Sequence, residues 1–132
     1  WRLHLESIPE DRVIQIARGP VQAVESLTLY DDTGEEVALP LTGHVLDGHA
    51  RPARLTLSRA LGSGRPINGI EIDFAAGFGG SGSEVPDTLK RAMLMHVALM
   101  FAFRGAVATA DQPADIPDGY DRLIAPFLMR RL

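Results

Sequence analysis

The sequence has no cysteine. Disulfides, thiolate metal sites and cysteine nucleophiles are therefore excluded, and the redox compartment stays open. Basic charge is not in excess either: 13 Lys and Arg stand against 17 Asp and Glu, a net charge of -4. A domain that grips nucleic acid by neutralising phosphates carries a basic stripe, so this balance argues against that class despite local groups at Arg51, Arg54 and Arg59. Uncharged apolar runs long enough to span a bilayer are also missing, because Lys90, Arg91, His96 and Arg104 interrupt the most apolar stretch. The opening residues 1–6 alternate apolar and polar and lack the basic start and apolar run of a signal peptide. The first residue is tryptophan, so we expect the observed portion of a longer protein.

What is present is 132 residues with 45% hydrophobic content, enough for one domain with a real core. Its organising stretch is Glu84–Arg104, EVPDTLKRAMLMHVALMFAFR. Pro86 suits a first helical turn, Asp87 places negative charge at the positive end of the dipole, and Gly105 ends the helix. Leu89, Ala92, Met93, His96, Val97 and Met100 follow the spacing of one buried face. Leu94, Met95, Leu99, Phe101 and Phe103 extend apolar character almost all round, so this helix must be covered on more than one side.

Ahead of it the pattern is that of strands. Residues 1–6 predict a strand burying Trp1, Leu3 and Leu5; Val13, Ile14 and Ile16 predict a second; 21–31 supply a third. Asp31-Asp32-Thr33-Gly34 reads as the turn of a hairpin returning through 36–39. Residues 42–46, 53–58 and 67–75 complete a set of short strands at about ten-residue spacing, the mark of an antiparallel sandwich or open barrel. Gly77–Ser83 reads as a flexible connector, and Tyr120–Phe127 as a short helix ended or kinked by Pro126. The fold class is α+β, with an antiparallel β region over 1–83 and a helical region over 84–132.

Catalytic chemistry is poorly served. His44 and His49 flank Asp47 in one loop, a conceivable metal site, yet their spacing matches no established ligand pattern and exposed loop histidines are the better reading. His96 has no His or Glu companion at helical spacing. The glycines of 77–82 precede a helix but lack the Lys-Ser/Thr of a phosphate loop. Carboxylate pairs at 10–11, 31–32 and 35–36 fall in turns, and no serine has a nucleophile-elbow context. We expect no catalytic set, no metal and no cofactor, and read the chain as an assembly component.

Three stretches carry a resemblance. Phe74-Ala75-Ala76-Gly77-Phe78-Gly79 followed by Val85-Pro86-Asp87-Thr88-Leu89-Lys90-Arg91-Ala92-Met93-Leu94 resembles the glycine-rich loop and helix start of head–tail connector, or adaptor, proteins of long-tailed phages and gene transfer agents. Ile116-Pro117-Asp118-Gly119-Tyr120-Asp121-Arg122-Leu123-Ile124-Ala125-Pro126-Phe127 is similar to that family's closing motif, and Arg18-Gly19-Pro20-Val21-Gln22-Ala23-Val24 to an upstream one. The order matches and the span covers most of the chain. Where relatives carry polar and aromatic residues near the helix end, this chain has Leu99-Met100-Phe101-Ala102-Phe103.

The resemblance implies a structural, non-enzymatic ring, dodecameric, that sits beneath the portal and docks a stopper or tail-completion protein. DNA would pass through without specific binding, and there is neither a membrane nor a small-molecule partner. It implies helices ahead of Trp1, packing with the helical region as one domain. Expected contact residues are Leu99, Met100, Phe101, Phe103, Arg104, Phe127, Arg130 and Arg131. Two other readings remain open: a β-domain binding a ligand or peptide, with His44, Asp47 and His49 at its rim, or another tail component such as a terminator.

Overall fold

A computed structural model of the chain describes residues 1–58, 64–103 and 116–128. They divide into two units, Trp1–Phe78 and Gly79–Leu132. The first carries β1 (Arg2–Leu5), β2 (Val13–Ile16), β3 (Val21–Tyr30), β4 (Glu36–Ala38), β5 (Val45–Asp47), β6 (Ala53–Thr56) and β7 (Ile70–Ala76). These form two antiparallel sheets, one in the order β1-β7-β3-β4 and one in the order β2-β6-β5. Ile14, Ile16, Leu55 and Leu57 from one sheet share a single buried cluster with Val21, Leu27, Ile70, Ile72 and Phe74 from the other. Of the two arrangements left open by the sequence, this is the sandwich.

The pairing of β3 with β7 explains how the core is assembled. Strand β7 is strictly alternating: Ile70, Ile72 and Phe74 are buried on the core side, while Glu71 and Asp73 lie on the other. Strand β3 has its apolar residues at 21, 24, 27 and 29, a spacing that a straight strand would scatter over both faces. Register shifts between Val21 and Ala23, and between Val24 and Ser26, absorb the misfit. With these bulges, Val21, Val24, Leu27 and Leu29 stand opposite Ala76, Phe74, Ile72 and Ile70.

The hairpin turn forms as its residues predict. The Asp31 carboxylate accepts hydrogen bonds from the Thr33 amide at 2.8 Å, the Thr33 hydroxyl at 2.7 Å and the Glu35 amide at 2.9 Å, while Gly34 takes φ +87°. These donors, Thr33 first, hold the Asp31 carboxyl below its ordinary proton affinity.

Three sequence expectations shift. Trp1 is 61% exposed rather than buried, its ring covered by the Arg18 guanidinium at 3.7 Å. The strand expected over 42–46 begins only at Val45, because Gly43 turns the chain at φ +82°. The strand expected from Ile67 begins at Ile70, since Asn68 adopts φ +50° and breaks the extended run.

Two features tie the sandwich together. In the β5–β6 loop, which read only as a connector, Gly48 lies directly on β3: its carbonyl accepts from the Val21 amide at 3.2 Å, and a Cβ there would collide with the Val21 carbonyl. The loop thus stitches one sheet to the other. On the outer face of the four-stranded sheet, Glu71 is only 8% exposed although it faces away from the core. The Tyr30 hydroxyl donates to it at 3.1 Å and Arg2 reaches it at 3.1 Å, while Arg65 stacks over the Tyr30 ring at 4.3 Å. Arg2 also grips Asp73 with two bonds, Nε at 2.8 Å and Nη2 at 2.9 Å. That bidentate pair depresses the Asp73 carboxyl pKa and raises that of the guanidinium. Desolvation, followed by the bond to Glu71, raises the Tyr30 phenol.

The second unit contains a 3-10 turn at Gly82–Glu84, formed partly from the segment that reads as a flexible connector, then α1 (Asp87–Phe103), α2 (Tyr120–Ile124) and a 3-10 turn at Ala125–Phe127 that contains Pro126. Proline has no amide hydrogen to extend α2, which is why the helix tightens and ends there.

Replacing Gly48 with alanine should cost about 1–3 kcal/mol, because the added methyl meets backbone rather than a yielding side chain; urea unfolding followed by circular dichroism measures it. Arg2→Met tests the outer seam. A carboxyl whose folded pKa is depressed contributes stability above its unfolded value, near 3.8 for Asp73, and loses it as pH falls through the folded one. The stability gap between wild type and Arg2→Met should therefore be constant above about pH 5 and narrow below about pH 4. A gap independent of pH would rule out the ion pair as its source.

Candidate functional site

Helix α1 has two unlike sides. Ala92 is buried, and Leu89, Met95, His96, Leu99 and Phe103 are half-buried. On this side α2 packs against α1, with the His96 and Tyr120 rings meeting edge to face, centroids 5.6 Å apart. The remaining apolar residues, Met93, Leu94, Val97, Met100 and Phe101, are between 52% and 69% exposed. Met93, Val97 and Met100 were expected on the buried face. They share its three-and-four spacing, but among the described residues α2 is short and packs on the side that carries His96. An exposed stripe of this kind is unusual on an isolated soluble domain.

The residues expected to make contacts therefore divide. Met100 and Phe101 lie on the exposed side of α1, Leu99 and Phe103 on the half-buried side, and Phe127 is half-buried in the turn after α2. Arg104, Arg130 and Arg131 fall outside the described residues.

Of the polar candidates, His44 and Asp47 are held in structural contacts, and His49 is exposed. The Ser58 amide donates to His44 Nδ1 at 3.1 Å, which leaves the hydrogen on Nε2 to reach the Pro40 carbonyl at 2.9 Å. Both ring nitrogens are thus committed to pinning the loop ahead of β5. Asp47 pairs with Arg54 at 2.6 Å and accepts from the Ala50 amide at 3.1 Å; the arginine bond is the main cause of its lowered pKa. Among the described residues no group of three or more His, Cys, Asp or Glu could hold a metal ion. The glycine segment is likewise committed. The Glu84 carboxylate accepts from the Ser81 amide at 2.9 Å and lies against Gly79, so a phosphate approaching this helix start would meet a carboxylate. Among the described residues no helix is long and apolar enough to cross a membrane.

One concavity escaped the sequence reading. Val13, Val45, Asp47, Arg54 and Thr56 line a depression of about 160 Å³ on the three-stranded sheet. Its residues come from three separated segments, so only the strand register could have pointed to it. Ligand pockets run from about 300 to 1,000 Å³, and this depression falls below that range.

No family model matches the chain, and no curated protein does. Solved structures do. The chain is similar, at 30% identity and a TM-score of 0.75, to a chain in the neck of a native gene transfer agent particle computed with C12 symmetry; the match covers 99% of this chain and 69% of that one. A chain in the virion of a native gene transfer agent particle matches at 30% identity and a TM-score of 0.76, with 99% and 65% covered. A chain in the neck of an empty particle, computed with C6 symmetry, matches at 27% identity and a TM-score of 0.74, again with 99% and 65% covered. The chain thus spans about two thirds of the length of the chains it resembles.

Proposed function

Because the chain belongs to the family of gene transfer agent neck proteins, we propose that it is the head–tail adaptor of a phage-like particle: a structural ring, without catalysis, between portal and tail. The observation that carries this reading is the exposed apolar side of α1, in a chain whose fold follows neck chains over almost its whole length. Such a surface favours permanent contact with protein, since obligate interfaces are more apolar than transient ones. Met100 and Phe101, with Leu99 and Phe103 beside them, are the proposed contact region of the helix. Phe127 and the terminal Arg130 and Arg131 are proposed to reach the portal, and a stopper or tail-completion protein docks on the opposite side of the ring.

DNA passes through such a ring and is not held there. A net charge of -4 suits a conduit wall, because like charge keeps the duplex from adhering. The binding-module alternative finds little support in a depression smaller than ligand pockets and in His44 and Asp47 side chains already committed to structural contacts.

The purified protein should form closed rings in negative-stain electron micrographs. Met100→Asp should abolish them while circular dichroism and unfolding stability stay within about 0.5 kcal/mol of wild type, as an exposed site allows. Chemical cross-linking in assembled particles should join the protein to the portal. A chain that stays monomeric at high concentration, or one that cross-links to tail-tube protein instead, would overturn the reading.

A further inference from the structure

The chain contains a single asparagine, Asn68, and a glycine follows it. The turn into β7 requires both. Asn68 adopts φ +50°, a left-handed conformation that asparagine tolerates better than most residues. Gly69 is buried, and a Cβ there would collide with the Arg65 carbonyl, so no larger residue fits. Three bonds anchor the turn: the Arg65 amide donates to the Tyr30 carbonyl at 2.9 Å, the Tyr30 amide to the Gly69 carbonyl at 2.8 Å, and Arg65 Nε to the Asn68 carbonyl at 3.1 Å. Arg65 is itself held in place, because its guanidinium stacks over the Tyr30 ring.

The pair that the turn requires is also chemically reactive. The Cγ of an asparagine can be attacked by the nitrogen of the following peptide bond, closing a succinimide ring, and glycine, having no side chain, crowds that approach least. Asn68 is exposed, so water reaches its carboxamide. The attacking nitrogen is nucleophilic only once its proton is gone, and its negative charge is then shared with the oxygen of the same peptide, the Asn68 carbonyl. This is the atom that Arg65 Nε contacts. A fixed guanidinium on an oxygen where negative charge develops lowers the barrier as an oxyanion hole does.

We propose that Asn68 is a modification site at which the protein deamidates itself, with Arg65 as the assisting group. The Gly69 nitrogen gives its proton to solvent and bonds to Asn68 Cγ, and the side-chain nitrogen takes a proton from solvent and leaves as ammonia. Water then opens the succinimide at one carbonyl or the other, giving aspartate or isoaspartate. Either product adds a negative charge on the residue that Arg65 contacts. Isoaspartate also lengthens the main chain by one carbon between the Arg65 anchor and β7. The bond from the Tyr30 amide to Gly69 lies just beyond that insertion, so the β3–β7 seam and the Tyr30–Glu71 contact loosen from this end.

The lone asparagine makes the readout simple. Purified protein is incubated in mildly alkaline buffer, natively and in urea, and its tryptic peptides are mapped by mass spectrometry, which reads conversion of amide to acid at Asn68 and separates the two products by retention. Native wild type should convert steadily to both. Arg65→Met should slow native conversion about tenfold, the factor that a hydrogen bond to a charged group contributes, and Arg65→Lys should restore part of it. In urea, where the turn is lost, wild type and Arg65→Met should convert at the same rate. A purely structural role for Arg65 gives the reverse order in the native state, because a looser turn lets the ring close sooner. Native wild type that keeps its amide while its own urea-unfolded form converts would overturn the site without recourse to any variant. Arg65→Met that matches the wild-type circular dichroism yet converts as fast or faster would overturn the assistance.

Discussion

The sandwich depends on a single geometric reconciliation between two neighbouring strands. Strand β7 presents isoleucine and phenylalanine to the core at every second residue, whereas the apolar residues of β3 come three, three and two apart. An unbroken ladder would turn Val24 to the face opposite Val21, Leu27 and Leu29, because successive side chains of a strand alternate between faces. Two bulges resolve the conflict at the cost of a few ladder hydrogen bonds, and all four apolar side chains of β3 then oppose their partners on β7. The rest of the unit follows from this seam: the second sheet closes on the face it creates, and Gly48 anchors the β5–β6 loop against the first residue of β3.

The opposite face of β7 shows how the same strand serves solvent. Glu71 and Asp73 alternate with the core residues and would normally be free, yet both are drawn into contacts with Arg2, and Glu71 is further covered by Tyr30 beneath Arg65. These acidic and basic groups hold the edge strand β1 in register.

Helix α1 presents the reverse situation. Its half-buried side is satisfied by α2 and the His96–Tyr120 stack, whereas its other side leaves methionine, leucine and valine in water. Apolar surface of that extent lowers the free energy of association whenever a complementary surface is available.

Much of this was legible in the residues alone. Alternation at 70–76, the Asp-x-x-Gly turn with its permissive glycine, and proline at both ends of the helical region follow from local backbone and side-chain chemistry, which a sequence carries in full. So did the excess of apolar character in 89–103. What the residues could not reveal is which way that excess points. The spacing of Met93, Val97 and Met100 is as good a core pattern as that of Ala92, His96 and Leu99, and it is tertiary packing, in which α2 meets His96, that distinguishes the two sides. The bulges in β3, the burial of Glu71 and the Val13–Thr56–Val45 row were likewise decided by tertiary pairing, because each depends on what lies opposite, and opposition across strands is a property of register rather than of neighbouring residues in the chain.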